Sequence, residues 1–120
     1  MEKGLKDEQV EVLQTAREYM GNLTRGMDGC IIDLREGRIN EGLSLISPIL
    51  EGMQWIYDVV RLTKDVQKDP MDEKEMEDKL KEMIEAFENQ DFVLISDLME
   101  YEILPILNLW KDGISKTLEE

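Results

Sequence analysis

The stretch VLQTAREYMGNLTRGMDGCIIDLREG, residues 12–37, decides the fold. Within it Leu13, Ala16, Met20, Leu23, Met27, Cys30 and Leu34 advance by steps of 3, 4, 3, 4, 3, 4. That spacing gathers the apolar side chains on one face of an α-helix and does not fit the two-residue alternation of a half-buried strand. It predicts a first helix from Asp7 to about Glu36. Gly37 should end it, because glycine enters the left-handed conformation at little cost. Gly21, Gly26 and Gly29 inside the same helix each weaken it by about 1 kcal/mol relative to Ala. Close approach to a neighbouring backbone is the expected compensation.

The same rhythm continues downstream. Ile39, Gly42, Ile46, Ile49, Met53, Ile56 and Val60 repeat the 3, 4 steps, so a second helix is expected with Asn40 as its N-cap. Leu43, Leu45, Leu50, Trp55, Tyr57 and Val59 widen its stripe enough to suggest burial on two sides. KDVQKDPMD, residues 64–72, breaks the pattern, and Asp69–Pro70 reads as a cap followed by a first-turn proline. A third helix to about Asn89 should turn Met76, Leu80, Met83 and Phe87 inward. After ENQD, residues 88–91, a fourth helix is expected from about Asp91 to Lys116. Four helices on short links predict one domain over residues 1–120, all-α, an antiparallel four-helix bundle. Helices two and four are the most apolar and are expected to face each other across the core or to cover a dimer interface.

Each of those two helices carries an internal proline in a similar setting, ISPIL at 46–50 and ILPIL at 103–107. A helical proline donates no backbone hydrogen bond and crowds the carbonyl four residues earlier, Ser44 for Pro48 and Tyr101 for Pro105. Both helices are therefore expected to be proline-kinked. Ser47 could alternatively cap a fresh helix starting at Pro48.

Composition narrows the function. Acids outnumber bases 28 to 14, a formal charge of −14, which repels phosphate backbones and anionic membranes. Ten acids against three lysines between Asp69 and Asp91 supply half of that excess. Cys30 is the single cysteine; a lone thiol suits a reducing cytoplasm, and its place on the inward stripe predicts an inert one. MEKGLKDEQ lacks the apolar stretch of a signal peptide, and no run approaches the roughly 18 apolar residues of a membrane span. There is no histidine, which removes Ser-His-Asp, Cys-His and Glu-x-x-His chemistry.

Carboxylates inside apolar surroundings are the remaining chemical candidates. Glu100 and Glu102 lie two residues apart on a helix and so project about 200° from each other; they cannot form one paired acid/base site. Glu102 falls on the stripe Ile95, Met99, Glu102, Ile106, Leu109 and is the expected inward group, with Tyr19, Tyr57, Arg17, Arg25 or Arg61 as partner. Glu51 sits comparably in PILEGMQW. Met20, Met27, Met53, Met76, Met83 and Met99 fall at inward positions, and Trp55 and Trp110 are candidate interface anchors.

The segments LREGRINEGLSLISPILEGMQWI, residues 34–56, and DFVLISDLMEYEILPILNLW, residues 91–110, resemble a recurring pattern in small acidic helical bacterial proteins. That resemblance implies a family of unknown function, some of whose members accompany flagellar or surface-glycosylation systems, and it brings no catalytic residues. In architecture alone the chain also resembles secretion and flagellin chaperones. The expected function is a non-catalytic cytoplasmic bundle of chaperone or adaptor type. It would bind a partner helix, or a second copy as a homodimer, along helices two and four through Ile49, Glu51, Met53, Trp55, Glu102, Ile106 and Trp110. No cofactor, nucleic acid or membrane is expected to take part. The alternative is a carboxylate-based metal or small-ligand bundle, possibly an enzyme, using Glu51, Glu100 and Glu102.

Overall fold

The computed structural model describes residues 4–119; Met1–Lys3 and Glu120, the ends of the expected domain, lie outside them. The elements of the described chain are all helical, without strands. Helix α1 spans Leu5–Arg35, α2 Ile39–Leu62, α3 Glu73–Glu88, α4 Phe92–Asp97 and α5 Leu104–Leu118. A 3₁₀ turn, Lys64–Val66, follows α2, and a wide π turn, Leu98–Ile103, joins α4 to α5. Leu98 and Leu104, at its two ends, keep right-handed helical dihedrals, so residues 92–118 form one rod. The four rods make a bundle of 53 × 22 × 21 Å. Its long axis is set by α1, whose 31 residues span about 46 Å at roughly 1.5 Å each.

The first helix follows its stripe. Leu13, Ala16, Met20, Leu23, Met27, Cys30 and Leu34 are all buried. Its end is a left-handed glycine stop: Gly37 has φ +82, Gly37 N–H donates to Leu34 O, and Arg38 N–H donates to Asp33 O at 2.8 Å, satisfying carbonyls the helix would otherwise leave open. The second helix starts at Ile39 with Arg38 as its N-cap, two residues earlier than an Asn40 cap requires. It runs unbroken past Ser47 and Pro48, so Ser47 caps no new helix.

The glycines behave differently from expectation. A Cβ on Gly26 or Gly29 would meet nothing within 4 Å, so no neighbouring backbone compensates for them. The crowded glycines belong to α2. A Cβ on Gly42 would come within 2.6 Å of the Leu34 side chain, and one on Gly52 would strike the Tyr19 hydroxyl and lie 2.9 Å from Leu23 Cδ1.

Between α2 and α3 the chain is anchored rather than loose. Gln67, 7% exposed, donates to Val60 O at 2.8 Å and Thr63 Oγ1 at 3.0 Å and accepts from Met71 N–H at 2.8 Å. Lys68 N–H donates to Thr117 Oγ1 at 3.0 Å on the last helix. This knot holds Met71 in the core and delays α3 to Glu73, where Asp72, and not Asp69, caps by accepting from Lys74 N–H. Gln67→Leu, which keeps the volume but orphans buried partners, should lower stability by about 1–3 kcal/mol in urea unfolding.

In α3 the inward residues are Met76, Leu80, Met83 and Ala86. Phe87 is 41% exposed, against the expectation that it points inward.

The fourth rod departs from its expected stripe at the π turn. Leu104 N–H donates to Met99 O, five residues back, so one extra residue fits into that turn. The buried series is therefore Ile95, Met99, Ile103, Leu107, Trp110 and Ile114. From position 102 onward every inward position is one residue later than a regular helix would place it. Glu102 is turned out, Ile106 is only half-buried and Leu109 is 67% exposed.

Around the bundle α1 packs on α2 and on the fourth rod, and α3 packs on the same two. The two most apolar rods thus sit diagonally and share no outer seam. Seven of the eight methionines, Met20, Met27, Met53, Met71, Met76, Met83 and Met99, are buried.

Candidate functional site

The candidate site is a furrow along the seam of α1 and α2. Three hollows succeed one another along it. One of about 430 Å³ lies among Leu5, Val12, Trp55 and Leu62. The next, of about 420 Å³, lies among Thr15, Tyr19, Pro48, Glu51 and Trp55. The last, of about 230 Å³, lies among Tyr19, Leu23, Gly26, Leu45 and Pro48. Trp55 belongs to the first two and Tyr19 and Pro48 to the last two, so the hollows share walls. A continuous open trough of this kind suits an elongated occupant better than an enclosed small molecule.

Local structure explains the trough. Gly52 lets α2 approach Tyr19, whose ring meets Trp55 edge to face at 5.4 Å and 82°. The pair props Trp55 in the seam with 38% of its surface exposed. On the other side of Tyr19, the open backbone at Gly26 leaves the floor low. Leu5 and Leu62, 69% and 60% exposed, form the lips at one end, and Gln9 Nε2 donates across to Leu62 O at 3.1 Å.

Only part of the expected partner surface assembles here. Trp55 and Glu51 line the furrow. Ile49 edges it but is 3% exposed. Met53 and Trp110, at 0% and 3%, are core. They offer no exposed patch, because α2 and the fourth rod lie diagonally. Glu102 and Ile106 lie away from the furrow on the fourth rod. The residues missed in the sequence, Leu5, Val12 and Tyr19, do carry a signal. With Gly26 they step by seven, a second stripe beside the core stripe, as expected for a helix face that is apolar but not central.

The carboxylates of the alternative reading do not converge. Glu100 pairs with Arg35, which also reaches Asp97 at 3.1 Å and lies 5.9 Å over the Tyr101 ring. Glu102 accepts from Lys79 Nζ at 2.6 Å, and Glu82 from the same ammonium at 2.8 Å. Those two partners push the Lys79 pKa up to about 12. None of the five partners expected for Glu102 is used. Among the described residues no group of three or more His, Cys, Asp or Glu is placed to hold a metal ion.

Cys30 is fully buried and donates to Gly42 O at 3.3 Å. Burial first, and Asp33 second, raise its pKa from the ordinary 9.0 to about 11. The native thiol should stay unlabelled by iodoacetamide at pH 8 while the urea-unfolded chain labels readily. The unfolded thiol releases its proton near 9.0 and the folded one near 11, so stability should fall as pH rises between those values.

No helix among the described residues is long and apolar enough to cross a membrane. The fold defines the chain as an all-helical bundle with an apolar seam. The model of a family described as a domain of unknown function, DUF8042, matches residues 11–113, and the chain belongs to that family. No curated protein and no solved structure matches it.

Proposed function

We propose that the chain is a non-catalytic interaction protein of chaperone or adaptor type, which receives a helical segment of a partner protein in the α1/α2 furrow. The observation that carries this reading is Trp55. A large aromatic, propped by Tyr19, stands part-exposed at the middle of a trough with apolar lips, and such residues anchor binding hot spots. The proposal includes rods that alternate in direction, as their short links favour, and a bend at Pro48 that opens the seam beside it. It also includes a bend at Pro105. The bacterial cytoplasm and a tie to flagellar or surface-glycosylation systems, implied by the resemblance, belong to the same proposal.

Site-specific photo-crosslinking tests it. A benzophenone side chain at Trp55 or Leu62 of the full chain, expressed in its own cells, should yield an adduct that mass spectrometry maps to one helical segment of another protein. The same group at Leu109, at least as exposed as either but on the fourth rod, should not. Adducts at Leu109 alone, or adducts only between copies of the chain, would remove the reading.

A further inference from the structure

We infer that the segment received by the furrow is a cationic amphipathic helix, an inference that rests on the reading of the furrow as a helix-binding seam. The chemistry is written in its rim. Three carboxylates line the hollows, Glu8 and Asp58 around the lip at Leu62 and Glu51 beside Trp55. Among the described residues no lysine or arginine lines any of the three hollows. Two bases stand beside the rim, each engaged by a residue that lines it. Arg61 lies 6.0 Å from the Tyr57 ring and pairs with Asp58 at 3.7 Å, and Arg25 bonds Asn22 on the last hollow, so the three carboxylates still outnumber the bases at the rim.

An apolar floor between acidic edges selects an occupant with the inverse pattern. Its apolar stripe would seat against Trp55, Val12 and Leu62, and Lys or Arg flanking that stripe would meet Glu8, Glu51 and Asp58. Burying such a stripe supplies affinity, and the facing charges supply register and exclude wrong partners. A second copy of the chain is a poor occupant because it brings another formal charge of −14, and like charges brought together are repulsive. An acidic or neutral helix would desolvate Glu8 and Glu51 without giving them a partner, whereas Asp58 already accepts from Gln54 Nε2 at 3.3 Å and meets Arg61 at 3.7 Å.

The full chain with Trp110→Phe, its fold checked by circular dichroism, leaves Trp55 as the sole tryptophan reporter. Three peptides of about 18 residues, long enough to hold a helix, serve as probes at about 150 mM salt. One is a Leu/Lys peptide with Leu at i, i+3, i+4 and i+7. The second is its Leu/Glu counterpart, and the third is the Leu/Lys composition scrambled so that no stripe forms. The patterned Leu/Lys peptide should shift Trp55 emission saturably and bind about tenfold or more tighter than either other peptide. Combined Glu8→Lys, Glu51→Lys and Asp58→Lys should transfer the preference to the Leu/Glu peptide.

Equal binding of both patterned peptides would leave the furrow standing and overturn its cationic selectivity. Equal binding of patterned and scrambled Leu/Lys peptides would reduce the effect to bulk charge attraction and overturn it as well. A concentration-dependent dimer abolished by Trp55→Glu would make a second copy the occupant and overturn it too. Silence of Trp55 toward both patterned peptides would remove the furrow reading itself.

Discussion

Ile103→Ala is expected to lower stability by about 2–5 kcal/mol, read as a lower urea midpoint with an unchanged slope. Ile103 is fully buried on the fourth rod, so truncation leaves a cavity between α1, α3 and that rod. Its neighbour supplies the contrast. Glu102→Ala removes an exposed partner of Lys79 and should change stability by no more than about 0.5 kcal/mol. A regular helix would give the opposite ranking, because its stripe carries position 102 inward. The pair of variants therefore reads the π turn directly, without a further structure.

Gly52→Val should be the second severe substitution, costing about 1–3 kcal/mol through overpacking. The added atoms would run into Leu23 Cδ1, 2.9 Å from the first of them, and into the Tyr19 hydroxyl. Tyr19 cannot retreat freely, since its ring is set edge-on against Trp55. The tryptophan emission should change together with stability. Gly29→Ala gives the contrast: nothing lies within 4 Å of the new methyl, and the gain in helix propensity should raise stability by up to about 1 kcal/mol. Equal effects at the two glycines would mean that α1 and α2 do not approach each other at Gly52.

Much of the bundle is legible in the sequence because two long, regular helices keep a constant phase. All seven stripe residues of α1 are buried, and in α2 six of seven, with Ile39 half-covered at the end. Legibility fails where something other than periodicity decides. At Asp69–Pro70 the local cap signal yields to Gln67, which takes the Met71 N–H for a tertiary bond. At Phe87 the helix is about to end: Gln90 adopts φ 54 and Asp91 N–H returns to Ala86 O at 2.9 Å. Ala86 then faces the core in place of the larger ring. At Glu102 the π turn shifts the phase, and no single residue there announces it; Pro105, which cannot donate to Tyr101 O, is the nearest sign. The furrow was legible only in part. Periodicity identifies apolar faces, and residue type marks Trp55 as a candidate anchor, but which two rods share an outer seam depends on their order around the bundle.

The buried methionines have a mechanical consequence. Thioether chains are unbranched and turn easily about three bonds, so an interior rich in them yields to load where branched side chains would jam. Met20, Met27 and Met53 stand directly behind the wall that α1 and α2 present to solvent. Thioethers in that position can change rotamer at lower cost than branched side chains if the two rods are pressed apart. If the furrow receives a helix as proposed, such an interior would let it take guests of somewhat different girth without a hinge or a moving loop.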